Sequence, residues 1–231
     1  MRLVQFVALA GICSRRKAVD LIKNNAIDIN GSPCNNPAYE VQPNDTICYL
    51  NKKLTLPDSY IYLALHKPKN IISASSSPHN EITVIDLVKD AFPTQRLYPV
   101  GRLDKDSTGL ILLTNDGNFA QKMSHPSFEI QKKYLVKIAH ALTTHDQLKL
   151  LSGIMLEDGI TKFDALTQLS PRVVEVTLHS GKNRIIRRMF AHLGHEVITL
   201  HRTTIGAITL GSLKESHYRQ LTQTELSGLL S

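Results

Sequence analysis

Gly101-Arg102-Leu103-Asp104-Lys105-Asp106-Ser107-Thr108-Gly109-Leu110-Ile111-Leu112-Leu113-Thr114-Asn115-Asp116-Gly117 is a polar loop that runs directly into an apolar strand, which a turn then closes. The short continuous apolar run from Leu110, bounded by turn residues, reads as a strand of a sheet. The loop before it holds two carboxylates and an arginine, and loops anchored on rigid strands commonly carry reactive groups. An arginine beside a carboxylate favours the charged form even in a partly dry pocket. The same side chains also suit a surface loop in which Asp104 and Asp106 cap turns. Chemistry alone leaves both readings open.

Outward from this segment, strand-like runs occupy residues 60–66, 134–138 and 173–178, and helical patterns occupy 84–91, 119–123, 144–152 and 184–192. Strands with interspersed helices and few crossover lengths indicate an α+β fold with a mostly antiparallel sheet. The polar stretch 51–59 reads as a linker, which sets a large domain over 60–231 apart from a small domain over 1–50. In the small domain, residues 2–10 form a helix stopped by Gly11, and Ser14 caps a second helix running to about Asn24. Strands follow at 27–29, near 39–41 and at 46–50, with Asn30-Gly31 as a hairpin turn. The N-terminal apolar stretch is about ten residues long and meets Arg15-Arg16-Lys17, so it is expected to be a helix of the fold rather than a secretory signal.

Three further segments gather cations. Gly181-Lys182-Asn183-Arg184-Ile185-Ile186-Arg187-Arg188-Met189-Phe190 follows a strand and opens a helix, a place where backbone N–H groups and cations receive anions. Cations are unfavourable at a helix N-terminus, so something anionic is expected to balance them. Lys132-Lys133-Tyr134 sets an aromatic ring beside lysines at a strand start, which suits stacking of an unpaired base or, equally, an ordinary sheet tyrosine. Leu65-His66-Lys67-Pro68-Lys69-Asn70 ends a strand at a basic turn, open to RNA or to solvent.

The net charge of +7 favours a polyanionic partner. The ten histidines lack metal-ligand spacing and the three cysteines lack CxxC spacing, so the expectation is a metal-free protein of a reducing cytoplasm. No run approaches the length of a membrane span. There is no phosphate loop and no nicotinamide fingerprint, and no cofactor is expected.

Together these segments resemble the ribosomal-RNA pseudouridine synthases of the RsuA/RluB type. GRLD at 101–104 with STGLILLTNDG at 107–117 is similar to the family's catalytic motif, HPSFEIQKKYLV at 125–136 to its tyrosine motif, and GKNRIIRRMFAHLGHEV at 181–197 to its third motif. LHKPKNIIS at 65–73 resembles the first motif, and HRTTIGAITLGSL at 201–213 with RQLTQTEL at 219–226 the C-terminal pattern. SRRKAVDLIKNNAIDING at 14–31 is similar to the alpha-L, or S4-like, RNA-binding domain. The resemblance covers nearly the whole chain, in order.

It implies a cytoplasmic enzyme of ribosome biogenesis, acting as a monomer without cofactor, that isomerises uridine to pseudouridine in ribosomal RNA. The large subunit is favoured and the small subunit is the other candidate. The family's essential aspartate falls on Asp104, acting at the glycosidic carbon or on the neighbouring ribose proton. Tyr134 matches the tyrosine that packs on the base, Arg187 the basic partner of the aspartate, and Ile186 the apolar residue beside it. Arg102 fits the space left by a flipped base. Lys67, Lys132, Arg184, Arg188, Arg15, Arg16 and Lys17 are expected to hold RNA. Asn70 stands where the family has Gly, Ile185 where it has Gln, and Gln131 where Glu is frequent. A non-catalytic ribosome-assembly factor is the alternative, and a base-releasing hydrolase a further one.

Overall fold

The computed structural model describes residues 1–230, which form two compact units. The first is Met1–Tyr60 with the short pieces Thr94–Arg96 and Asn115–Gly117. Helices α1 (Leu3–Leu9) and α2 (Arg15–Lys23) share a core with a small antiparallel sheet. Its strands are β1 (Ile27–Ile29), β2 (Ser32–Pro33), β3 (Ile47–Tyr49) and β4 (Lys52–Lys53), in the order β2-β1-β3-β4. Ser14 caps α2 as expected, its Oγ accepting from the Lys17 N–H at 3.3 Å. Asn30 and Gly31 both take left-handed backbone, φ 53° and 83°, the geometry that a two-residue hairpin demands.

Two expectations change here. Residues 39–41 form no strand beyond an isolated bridge from Glu40 to Arg2, and the Tyr39 hydroxyl instead donates to Asp45 at 2.9 Å. The polar stretch 51–59 is not linker throughout. Lys52–Lys53 pairs with β3, and Leu54 is buried in the first unit's core.

The second unit holds β5 (Tyr62–Lys67), β6 (Tyr98–Val100), β7 (Thr108–Thr114), α3 (Gly117–Ser124), β8 (Lys132–Ile138), α4 (Thr144–Ser152), β9 (Ile154–Leu156), β10 (Gly159–Thr161), β11 (Ala165–Ser170), β12 (Val173–Leu178), α5 (Ile185–His192), β13 (Val197–Ile205), β14 (Ile208–Thr209), β15 (Tyr218–Gln220) and α6 (Gln223–Leu230). The main sheet runs β11-β12-β8-β13-β7-β5-β15, antiparallel except where β7 meets β13. Leu110 and Leu112 enter one core layer while Ile111 and Leu113 enter the other. That two-sided burial is why β7 reads as an unbroken apolar run. No described helix is long and apolar enough to cross a membrane.

Residues 84–91 do not form the expected helix. The N–H groups of Asp86, Val88 and Ala91 each donate three residues back, in successive turns. Stiff Val84, Ile85 and Val88 disfavour helix here, and Asp86 holds the Thr83 N–H and hydroxyl, both at 2.8 Å.

The parallel contact of β7 with β13 is close enough to require a glycine. Gly109 has φ +106°, and a Cβ there would meet the Arg202 carbonyl oxygen and lie 2.6 Å from the Arg202 nitrogen. Gly109→Ala is therefore expected to cost on the order of 3 kcal/mol. Thermal unfolding should show a Tm lower by roughly 6–12 °C; an unchanged Tm would mean that the two strands separate without penalty.

Candidate active site

The loop carrying Asp104 is held from beneath by Lys67. This residue ends β5 with 0% of its surface exposed. Its Nζ donates to the carbonyls of Ser107 at 2.7 Å, Pro68 at 2.9 Å and Lys105 at 3.4 Å. The Ser107 N–H then closes a turn on the Asp104 carbonyl at 3.0 Å. An ammonium with its donors committed to backbone has none left for phosphate, so the expected RNA contact of Lys67 is corrected. Burial pushes its pKa down to about 8, against an upward pull from Asp106 and Asp104. From the other side, Asn70 adopts φ 68° and donates its N–H to the Lys105 carbonyl at 2.8 Å. The turn survives with Asn in place of Gly.

Helix α5 faces this loop. Ile185, Ile186, Met189 and Phe190 are buried as its spacing predicts, and Arg184 sits at the N-cap with left-handed backbone. The salt bridges differ from expectation. Arg187 pairs with Asp106 rather than Asp104, Nη2 to Oδ2 at 2.8 Å, and its Nη1 donates to the Val197 carbonyl. Arg184 faces both carboxylates, 3.5 Å from Asp104 and 3.8 Å from Asp106. Arg188 forks onto Asp158 at 3.1 and 2.8 Å, in the turn between β9 and β10, and Lys182 donates to the Asp158 carbonyl at 2.7 Å. The Arg188 hydrogen bonds hold the Asp158 carboxyl below the usual range. The anions that balance this basic helix start are therefore the chain's own aspartates, and Arg188 is turned away from the role expected of it.

Between loop and helix lies a cleft of about 270 Å³, lined by Arg102, Asp104, Lys132, Tyr134, Arg184, Ile186 and Arg202, with apolar wall from Met123, Leu200 and Ile205. Asp104 is partly exposed within it, and Tyr134 is buried. Lys132 donates to the Ile130 carbonyl at 2.7 Å, and burial, then the charge of Arg202, lowers its pKa to about 8. Arg187 and Lys67 lie behind the cleft rather than on its lining. Arg15, Arg16 and Lys17 belong to the first unit, exposed on α2, where Arg15 and Arg16 edge a shallow groove with Arg2 and Gln5.

Sequence reasoning missed Arg202, Asp158 and the partnership of Asp106. Arg202 alone left a trace: it falls on an inward position of β13, between Leu200 and Ile205, where an apolar residue belongs.

Residues 61–192 match the RNA pseudouridylate synthase family, and residues 1–47 match the S4 domain. The chain is 38% identical to the ribosomal large subunit pseudouridine synthase B of Bacillus subtilis (strain 168), covering 99% of this chain and 95% of that protein. It is 33% identical to an uncharacterized RNA pseudouridine synthase of Aquifex aeolicus (strain VF5), over 99% and 93%. A crystal structure of a pseudouridylate synthase superposes with a TM-score of 0.74 at 32% identity, covering 99% of both chains.

Burial of Lys67 leaves a signature in stability. The unfolded chain keeps that proton up to the ordinary value of 10.5, whereas the folded protein releases it from about 8. The unfolded state thus binds more protons between these limits, and this group's contribution to stability rises with pH across them. Lys132 adds a contribution of the same sign. Lys67→Met is expected to unfold more easily at neutral pH by on the order of 3 kcal/mol, since the carbonyls lose their donor. Its unfolding free energy should also climb less steeply above about pH 8. Denaturant titrations across that range measure both, and a wild-type slope would contradict the assignment.

Proposed function

The chain belongs to the RNA pseudouridylate synthase family, in its RsuA/RluB group with an N-terminal S4 domain, and from that premise we propose that it isomerises a specific uridine of large-subunit ribosomal RNA with Asp104 as the catalytic carboxylate. As a pseudouridine synthase it is an isomerase, so the assembly-factor and hydrolase alternatives fall away. The observation that carries the proposal is Asp104, on a loop clamped by Lys67, opening into the same cleft as Tyr134, Arg184 and Ile186.

The chemistry follows from that placement. The target nucleotide leaves its helix to enter the cleft, and Arg102 at the cleft's rim fills the gap. Asp104 acts at the glycosidic carbon or on the adjacent ribose proton while the C1′–N1 bond breaks. The detached uracil turns between Tyr134 and the apolar wall, and C5 bonds to C1′ as the Asp104–C1′ bond breaks or Asp104 returns the ribose proton. Tyr134, as its phenolate, then takes the C5 proton, the electron pair of the C5–H bond restores the C5–C6 double bond, and N1 gains a proton. Nothing is added or lost, and the reaction requires no cofactor. Retaining the free base is an entropic problem that a narrow cleft solves. Arg184, rather than Arg187, is the cation that directly faces Asp104.

The name of the Bacillus subtilis relative supports the large subunit as substrate. The S4 domain, with Arg15, Arg16 and Lys17 exposed on α2, supports anchoring to structured RNA, and three free cysteines suit a reducing cytoplasm.

Asp104→Asn is expected to abolish pseudouridine formation while RNA affinity stays within about twofold; activity in that variant would overturn the mechanism. Replacing Arg15, Arg16 and Lys17 by Gln should weaken binding to structured ribosomal RNA and flatten its salt dependence by about two to three phosphate contacts. An unaltered salt slope would remove these residues from the RNA interface. Pseudouridine mapping of ribosomal RNA from cells lacking the protein identifies the site: loss in the large subunit supports the proposal, and loss only in the small subunit reassigns the substrate.

A further inference from the structure

Arg202 is the most unusual charged residue of the second unit. It lies within β13, is 3% exposed, and enters none of the ion pairs among the described residues. A guanidinium taken out of water without a carboxylate carries a large desolvation cost, so its partners must be worth that cost. Those partners converge from three directions. Nε donates to the Leu110 carbonyl of β7 at 2.7 Å, and Nη1 donates to the Arg102 carbonyl of the loop at 3.3 Å. Nη1 also donates to the hydroxyl oxygen of Tyr134 at 3.4 Å. The guanidinium carbon lies 5.9 Å from the centre of the Tyr134 ring, and Nη2 has no hydrogen-bond partner among the described residues.

The backbone makes this arrangement rigid. Arg202 stands opposite Tyr134 in the β13–β8 ladder and opposite Gly109 in the parallel contact with β7, and the β13–β8 register shifts immediately after it. Its charge reaches the cleft, where it helps to lower the pKa of Lys132. A tyrosine oxygen that already accepts from a guanidinium has its ring orientation set. A fixed positive charge beside that oxygen also stabilises the phenolate, the form in which the oxygen can take a proton.

We propose that Arg202 is a positioning residue for the step at C5: it holds the Tyr134 ring against the base and keeps a fixed positive charge beside the phenol oxygen, stabilising the phenolate that takes the C5 proton. The inference rests on Tyr134 being the active-site tyrosine, as the proposed function has it. Arg202 does not touch the substrate in this role. It acts through Tyr134, and through the Arg102 carbonyl it ties the tyrosine strand to the loop that carries Asp104.

The test uses the full-length protein and a large-subunit ribosomal RNA transcript, labelled at uridine C5 with hydrogen or deuterium, under single-turnover conditions. Arg202→Met is expected to lower the rate at least tenfold, leave the RNA dissociation constant within about twofold, and enlarge the C5 isotope effect over wild type, because proton removal has become the slow step. A merely structural part would reduce the folded fraction or the rate and leave the isotope effect as in wild type; that result, or a wild-type rate, overturns the proposal. Should Arg202→Met not fold, Arg202→Lys carries the same measurement: it retains charge but cannot bridge carbonyl and phenol together, and the slower rate with the larger isotope effect is again expected. Tyr134→Phe separates the two ideas. Full activity there removes the tyrosine reading itself, whereas an impaired Tyr134→Phe beside an unimpaired Arg202→Met removes only the role of Arg202.

Discussion

A lysine ammonium held on backbone carbonyls, in no ion pair among the described residues, is the constraint from which the cleft is built. Lys67 reaches across from β5 to the loop before β7 and binds the Ser107 and Lys105 carbonyls together with that of its neighbour Pro68. Since β5 and β7 are already paired from Lys67 opposite Gly109 to Tyr62 opposite Thr114, the clamp extends a sheet ladder into a segment with no ladder of its own. Three carbonyls that would otherwise need water are satisfied by one buried cation, and Asp104 inherits the rigidity of the sheet. Burial is the largest cause of the depressed pKa of Lys67, and Asp106 and Asp104 offset part of it.

A second level of organisation is the sharing of charge around α5. Basic residues at a helix start oppose the helix dipole, and the fold answers with carboxylates from two places. Asp104 and Asp106 come from the clamped loop, and Asp158 from the turn between β9 and β10. Arg187 and Arg188 are spent on scaffold contacts, while Arg184 is half exposed and faces the reactive loop. The small β9–β10 hairpin thus acts on the cleft at one remove, by holding Arg188 and Lys182 and so the start of the helix.

Much of this was legible in the sequence, for identifiable reasons. Strands β5, β7, β8 and β12 announce themselves because each is a short apolar run bounded by breakers, and α4 through the helical pattern over 144–152, which the structure starts with a Thr143–Asp146 capping box. Residues 84–91 misled because apolar spacing alone cannot distinguish a helix from a chain of turns. Lys67 misled in another way. A lysine at the end of a strand in a basic turn looks solvated, and only the tertiary return of the 104–107 loop reveals that carbonyls enclose it. The pairing of Arg187 with Asp106 depends on which way that turn points, which no spacing encodes. Asp104, Tyr134, Arg184 and Ile186 do meet in one cleft, a convergence that required the motifs to be taken together, since each alone read equally well as surface or core.

Sealing of Lys67 also hides its amine from solvent reagents. An amine with a pKa near 8 would be an unusually reactive nucleophile at mildly alkaline pH if reagents could reach it. None can while the loop is closed, because the side chain has no exposed surface. Acylation of Lys67 by a small reagent therefore requires the structure around it to open first, whereas Lys132, equally depressed but partly open to the cleft, can be reached without that.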